Sequence, residues 1–242
     1  MVAETSRRSA LRLMLGGAGA ALLAGCDRLS QSAWFFKTLR GGETMSRSVQ
    51  KLLTSRRSMA QEFSERDLSP DFRSNGTSRP SGEQYEALAA GGFADWRLQV
   101  DGLVEQPRAF SLPALRAMPS RTQITRHDCV EGWSAIGKWG GVPFSYFLKR
   151  VGADLGAKYV GFKCDDDYHT SIDMATALHP QTNLALTYDG QVLPAKYGYP
   201  VKLRMPTKLG HKNPKHIRAI YVTNTYPGGY WEDQGYNWFG GS

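Results

Sequence analysis

The chain has 242 residues, 41% of them hydrophobic and 21% charged, enough to bury a core without disulfides or structural metals. Its net charge is +8, but much of the basic excess lies before residue 80 in a stretch with its own explanation, so nucleic-acid binding is not the expected function. Three cysteines, Cys26, Cys129 and Cys164, are too few and odd in number for a disulfide framework, and each calls for a separate account.

The N-terminus reads as an address. Arg7-Arg8 precede a weakly apolar run from Leu13 to Ala24, the twin-arginine export pattern, although Ala10 stands where a bulky apolar residue is commonest. The run is shorter than the roughly 20 residues needed to span a bilayer. It ends in Leu23-Ala24-Gly25-Cys26, which resembles a bacterial lipoprotein cleavage signal with Cys26 as the lipidated residue. Residues 1–25 are thus expected to be a signal peptide, leaving a periplasmic chain anchored to the membrane by lipid. Twin-arginine export carries folded proteins, which raises the expectation of a bound cofactor.

Residues 26–68 carry no strong strand signal and read as a tether and partly helical arm. Within it, Trp34-Phe35-Phe36 beside Lys37 and Arg40 suits either a lipid interface or a corner of the folded body. From residue 69 to 242 the texture is that of one domain. Trp96, Leu98 and Val100 alternate with polar residues as in a half-buried strand. Ser111-Leu112-Pro113 opens a short helix through Met118, and a second helix runs from Val142-Pro143-Phe144 to about Val151. Strands are expected over Tyr159–Lys163, Val201–Met205 and Ile217–Thr223. Residues 183–193 form a hairpin about Asp189-Gly190, a pair suited to the tight mirror-image turn. The expected class is α+β with mixed or antiparallel sheets. Asp165-Asp166-Asp167 reads as a solvated turn rather than a cation site, and His179 before Pro180 as a helix cap.

The densest chemistry lies in residues 124–143, where a strand enters a loop crowded with titratable groups about Cys129. Arg126 and His127, if close to the sulfur, would hold it as the thiolate that binds metals. Glu131 is placed to take or deliver protons, and the glycines to let backbone approach a bulky ligand. On the residues alone, a buried structural cysteine is the commoner reading of Cys129, with a nucleophile served by His127, His169 or His211 also open. Zinc is disfavoured because no Cys-x-x-Cys or His-x-x-x-His spacing occurs.

Cys129-Val130-Glu131-Gly132-Trp133 followed by Trp139-Gly140-Gly141-Val142-Pro143 resembles the active-site segment of the sulfite oxidase superfamily, in its bacterial branch of periplasmic reductases. The resemblance covers roughly residues 70–225 and includes Leu193–Lys202 and Pro206-Thr207-Lys208-Leu209-Gly210, with Lys215 and Ile217 beyond. It implies a molybdopterin-binding domain in which Cys129 ligates molybdenum and the pterin dithiolene supplies two further sulfurs, soft donors suited to a redox metal. It implies oxygen-atom transfer on a sulfur-containing or other small-molecule substrate, with Glu131 assisting proton flow. Cofactor contacts carried over on the same resemblance are Asn75, Cys164, Tyr197, Lys202, Asn213 and Lys215. Cys164 falls where relatives place a threonine and Tyr197 where they use Asn or His, while Lys202 replaces an Arg as a point charge without the bidentate fork. No haem-binding Cys-x-x-Cys-His is present, so electrons are expected to come from a separate partner, a membrane cytochrome b suiting the lipid tether. The rival readings are a cysteine-nucleophile hydrolase or transferase and a non-catalytic lipoprotein module.

Overall fold

The computed structural model describes residues 58–241 together with scattered positions between 32 and 49. The twin-arginine motif, the apolar run and Cys26 lie outside the described residues. The chain divides into two compact units, Met1–Thr54 and Ser55–Ser242. In the first, the described positions from Ala33 to Val49 are helical, and Trp34 is exposed. No helix among the described residues is long and apolar enough to cross a membrane.

The second unit is built on two five-stranded sheets. The first has the order β2-β1-β10-β5-β6, from β1 (Arg97–Gly102), β2 (Arg108–Ser111), β5 (Tyr159–Cys164), β6 (His169–Asp173) and β10 (Ile217–Thr223). β1 and β10 run parallel and the other neighbours antiparallel, so the sheet is mixed. The second has the order β3-β4-β7-β8, from β3 (Arg121–Asp128), β4 (Ser134–Pro143), β7 (Asn183–Tyr188) and β8 (Gln191–Val192), with β9 (Lys202–Arg204) pairing β7. The four helices are α1 (Glu83–Ala90), α2 (Leu112–Arg116), α3 (Phe144–Arg150) and α4 (Met174–Ala177).

One apolar core serves both sheets. Leu98, Val100, Phe162, Ile220 and Val222 from the first meet Val142, Leu184 and Leu203 from the second, with Phe144, Phe147 and Leu148 of α3 between. The alternation at Trp96, Leu98 and Val100 is the one expected of a strand with one face inside. α2 starts where Ser111 Oγ accepts from the Ala114 amide at 3.3 Å, with Pro113 in the first turn. The β7–β8 turn has φ of 49° at Asp189 and 74° at Gly190, both in the left-handed region that the tight turn requires.

Two expectations change. Residues 58–68, expected to belong to a tether, make specific contacts with the strands. Residues from Ser58 lie along β3, whose outer edge would otherwise expose unpaired backbone groups. The Phe63 amide donates to Ile124 O (2.9 Å), Glu62 bridges Thr125, and Gln181 exchanges two hydrogen bonds with the Ala60 backbone. The glycines among residues 134–143, expected to let backbone approach a bulky ligand, lie in strand β4. A Cβ on Gly141 would lie 2.0 Å from Leu184 O, so this glycine admits the neighbouring strand β7, not a ligand. His179, expected as a helix cap, stands just past the C-terminal end of α4, its amide donating to Thr176 O (3.2 Å) and its Nδ1 accepting from the Gln181 amide.

The C-terminal aromatic segment is strapped onto the domain. Lys212 Nζ and Glu232 Oε1 form a fully buried ion pair, and Lys212 also donates to Thr170 Oγ1 (3.0 Å) and Ser171 O (2.7 Å). Trp238 Nε1 donates to Ser171 Oγ and the Leu209 amide to Gly240 O. These contacts hold the segment against the loop that carries Gly210.

Candidate active site

Strand β3 sets the first part of the site by its two-residue period. Gln123, Thr125 and His127 face inward, whereas Arg126 points out and pairs with Asp128 at 2.9 Å. The strand ends in a turn in which the Cys129 amide donates to Trp133 O (2.9 Å) and the Gly132 amide to Cys129 O (3.1 Å). Gly132, at φ 85°, takes a conformation that side-chain-bearing residues avoid. The turn leaves Val130, Glu131 and Gly132 exposed while Cys129 is buried. Asn75, 54 residues earlier, brings its Nδ2 to 3.7 Å from Cys129 Sγ. The Glu131 carboxylate accepts from Trp133 Nε1 at 2.8 Å at the tip of the turn.

The thiol is not activated by its charged neighbours. Burial pushes the Cys129 thiol above its ordinary value, and the Glu131 backbone N–H and the Asn75 amide pull only partly the other way. The expected help from Arg126 and His127 is absent for two reasons. Arg126 faces solvent on the other side of the strand, and His127 is itself held neutral. Burial, and then the charges of Arg204, Lys202 and Lys215, push His127 well below the usual imidazole value. A metal bound at this position would draw out the thiolate, since coordination deprotonates a thiol outright.

Beneath the turn lie three buried cations. Lys202 and Arg204 alternate with Leu203 on β9, and Lys215 follows the loop that returns to β10. Arg204 is fully buried and donates to Thr125 Oγ1 (3.0 Å) and Arg126 O (2.6 Å), but its Nε has no partner. Lys202 Nζ donates to Asn213 O at 3.2 Å, and Lys215 Nζ to the carbonyls of Asn75 (2.6 Å), Thr77 and Lys196. None of the three forms a salt bridge among the described residues. Burial lowers all three, Lys202 well below its ordinary value, Arg204 to about 9 and Lys215 to about 8. An unpaired buried cation costs several kcal/mol, so three together call for an anion.

His127 completes the arrangement. Its ring packs against Phe72 (5.7 Å) and Trp133 (5.8 Å), and its buried Nδ1 has no hydrogen-bond partner. Its Nε2 faces Gly210, where a Cβ would lie 2.9 Å from that nitrogen and 3.3 Å from Asn75 Nδ2. Gly210 thus lets its backbone pack against His127 and against the amide that touches Cys129.

Of the residues expected to contact a cofactor, the structure gathers Cys129, Asn75, Lys202 and Lys215. The other three are engaged elsewhere. Asn213 uses its Oδ1 on the Met205 amide (2.6 Å) and its Nδ2 on the carbonyls of Lys208 and Leu209, so its side chain shapes the loop. Tyr197 packs in the small aromatic cluster with Phe72 and Trp139 and donates its hydroxyl to Phe72 O at 2.6 Å. Cys164 sits in the main core with its thiol pushed well up by burial, its amide on Tyr168 O and its carbonyl under Arg218. Arg204 and His127 were not among the expected cofactor contacts. The signal for Arg204 was a second cation, two residues after Lys202, in a strand flanked by Val201 and Met205.

Among the described residues no three His, Cys, Asp or Glu side chains gather to hold a metal ion. The family model of the oxidoreductase molybdopterin binding domain matches residues 87–231. The putative protein-methionine-sulfoxide reductase subunit YedZ1 of Azospira oryzae is 73% identical over 149 residues, which is 62% of this chain and 57% of that protein. The protein-methionine-sulfoxide reductase catalytic subunit MsrP of Burkholderia mallei is 33% identical over 161 residues, 60% of this chain and 49% of that protein. The chain thus spans about half the length of these curated relatives. The crystal structure of the sulfane dehydrogenase SoxCD from Paracoccus pantotrophus shares the fold, with a TM-score of 0.51 at 24% identity over 55% of this chain and 39% of that one. The residues present fit the family's cofactor, because a buried thiol for the metal stands beside buried cations that have no carboxylate and await a phosphate. The chain belongs to the oxidoreductase molybdopterin-binding domain family, within the sulfite oxidase superfamily.

Proposed function

We propose that this chain is an oxygen-atom-transfer oxidoreductase that reduces sulfoxides, with Cys129 as its one thiolate ligand to molybdenum. The observation that carries the reading is the buried Cys129 sulfur, 3.7 Å from the amide of Asn75, whose carbonyl accepts from the buried Lys215, with the buried Lys202 and Arg204 free of any salt bridge among the described residues. When bound, the cofactor supplies a metal that changes oxidation state by two electrons and accepts an oxygen atom. Lys202, Arg204 and Lys215 hold its anionic end, and Asn75 orients the sulfur ligand.

Reduction of a sulfoxide consumes two electrons and two protons and releases one water. Glu131 delivers protons, since its carboxylate stands at the exposed tip of the turn and is aimed by Trp133 Nε1. The same exposure of Val130 to Gly132 places the reacting centre close to the surface, which suits a sulfoxide carried on a peptide as well as a free small molecule. The names of the relatives support methionine sulfoxide as the substrate. The sequence holds no haem-attachment motif, so electrons arrive from a separate redox protein, for which a membrane cytochrome is the fitting class. Export by the twin-arginine route and lipidation at Cys26 would bring the enzyme to that partner in the periplasm.

A nucleophilic role for Cys129 calls for neighbours that favour the thiolate, whereas burial and the Glu131 carboxylate both push the thiol up. The test uses the full chain from a host able to make the cofactor, reduced viologen as donor, and free or peptide-bound methionine sulfoxide. Dye oxidation that requires sulfoxide and is lost in Cys129→Ala supports the reading. Turnover of sulfite with an artificial acceptor, without sulfoxide reduction, overturns the proposed direction.

A further inference from the structure

The C-terminal segment turns aromatic rings to solvent, and the chemistry proposed at Cys129 does not use them. Residues 229–236 form one tight turn. The Asp233 amide donates to Gly229 O (2.8 Å), Gln234 and Tyr236 to Trp231 O (3.0 Å each) and Gly235 to Glu232 O (3.1 Å). Tyr230, Trp231 and Tyr236 stand on this turn, with the Trp231 ring 5.2 Å from Tyr230 and 5.0 Å from Tyr236. Tyr230 is 46% exposed and Tyr236 44%. The turn is held at its centre by Glu232, buried against Lys212, and at its start by the Tyr230 amide on His169 O (2.9 Å). Contiguous exposed aromatic surface commonly marks a contact site, and rings held in place lose little entropy when something packs on them.

A short run of contacts joins these rings to the site. The Tyr236 ring lies 6.1 Å from that of His211, His211 follows Gly210, and the Gly210 backbone packs on the Asn75 amide that reaches Cys129. An extended chain advances ~3.3 Å per residue, so a peptide with its sulfoxide at the exposed Cys129 turn meets the rings within roughly four to six residues. We infer that Tyr230, Trp231 and Tyr236 are a docking platform for the substrate, an unfolded polypeptide segment that bears methionine sulfoxide and lays its apolar side chains on the rings. The exposed charge on the turn is Asp233, which lies 3.6 Å from His169 Nε2. Ring faces therefore do the selecting, and aliphatic, aromatic and thioether side chains all suit them. Contacts this far from the reacting atoms strengthen binding of substrate and transition state alike, so they lower KM and leave kcat unchanged. The inference rests on the reading that sulfoxide is reduced at Cys129.

The test uses the cofactor-loaded full chain with reduced viologen, so that no protein electron donor takes part. Three substrates are compared: free methionine sulfoxide, a long peptide carrying it between apolar flanks, and the same peptide with Gly and Ser flanks. The parent is expected to show a KM about tenfold lower for the apolar-flanked peptide than for the Gly/Ser one, at similar kcat. Replacing both exposed rings, Tyr230→Ser with Tyr236→Ser, should erase that advantage and leave turnover of free methionine sulfoxide unchanged. Tyr230→Phe with Tyr236→Phe, which keeps the rings, should keep the advantage. Equal KM for the two peptides in the parent would overturn the inference without need of any variant. So would an equal loss on free and peptide-bound sulfoxide in the Ser variant, or an advantage that survives loss of the rings. Absence of sulfoxide-dependent dye oxidation in the parent, on all three substrates, would instead overturn the reading beneath it.

Discussion

Asn75 Nδ2 and Cys129 Sγ stand 3.7 Å apart although 54 residues separate them in the chain. The contact is made possible from below by Lys215, whose ammonium gathers the carbonyls of Asn75, Thr77 and Lys196 and so fixes the segment that carries the amide. The amide beside the thiol is thus held by a cation that, in the proposed function, also binds the cofactor's anionic end. Loss of either function should be visible in the other.

Gly210 lets its backbone pack beside this contact. In Gly210→Ala the new methyl would stand 2.9 Å from His127 Nε2 and 3.3 Å from Asn75 Nδ2, closer than packed atoms tolerate. The substitution is expected to cost about 1–3 kcal/mol of stability by overpacking and to lower cofactor occupancy severalfold. Thermal unfolding with metal analysis on the same preparation checks both. Full occupancy in the variant would show that the cofactor does not approach this wall.

Lys202 separates binding from stability by sign. It is buried with no carboxylate, so Lys202→Met should leave the cofactor-free domain as stable or more stable. Molybdenum retention should fall about tenfold or more, the worth of one charge-assisted hydrogen bond to a phosphate. A drop in both quantities would make Lys202 a structural residue.

Lys215 gives a pH dependence. Burial lowers it to about 8 from the 10.5 of an exposed lysine. Between those values the unfolded chain binds more protons than the folded one, so this group makes the cofactor-free domain more stable as pH rises through the window. Binding of an anion needs the protonated amine, so affinity for the cofactor should fall over the same window. The difference between parent and Lys215→Met, in unfolding and in retention at pH 7.5 and 9.5, isolates both effects. A difference that does not change with pH would contradict the account.

The strap over the site is held by Lys212 and Glu232. Removing the carboxylate in Glu232→Ala leaves a buried, uncompensated cation and should cost about 3–5 kcal/mol. Limited proteolysis should then cut first within residues 226–241, which would keep the Trp238 ring contacts and isolated hydrogen bonds but lose their buried ion pair. Protection equal to the parent's would show that the ion pair is not what fastens the segment.

Much of this was legible in the sequence where a local pattern has one physical meaning. The alternation at Trp96, Leu98 and Val100, the Ser111-Leu112-Pro113 helix start and the Asp189-Gly190 turn all appear where expected. The Cys129 motif located the site and named the cofactor. What the sequence hid depends on non-local contacts. Gly141 looked like a residue that admits a ligand because the close approach of Leu184 is set only once β4 and β7 pair. Arg126 and His127 looked alike as charges beside a thiol, until the strand period sent one to solvent and the other inside. Residues 58–68 looked like linker because their partners, β3 and Gln181, lie far along the chain.

The central claim is that Cys129 binds molybdenum held in a molybdopterin group. Elemental and pterin analysis of the purified full chain, from a host that makes the cofactor, tests it most directly beside Cys129→Ala. The account predicts close to one molybdenum and one pterin per chain in the parent, and loss of the metal in the variant with its fold retained. A folded parent without molybdenum, or a Cys129→Ala protein that keeps the metal with an unchanged spectrum, would contradict it.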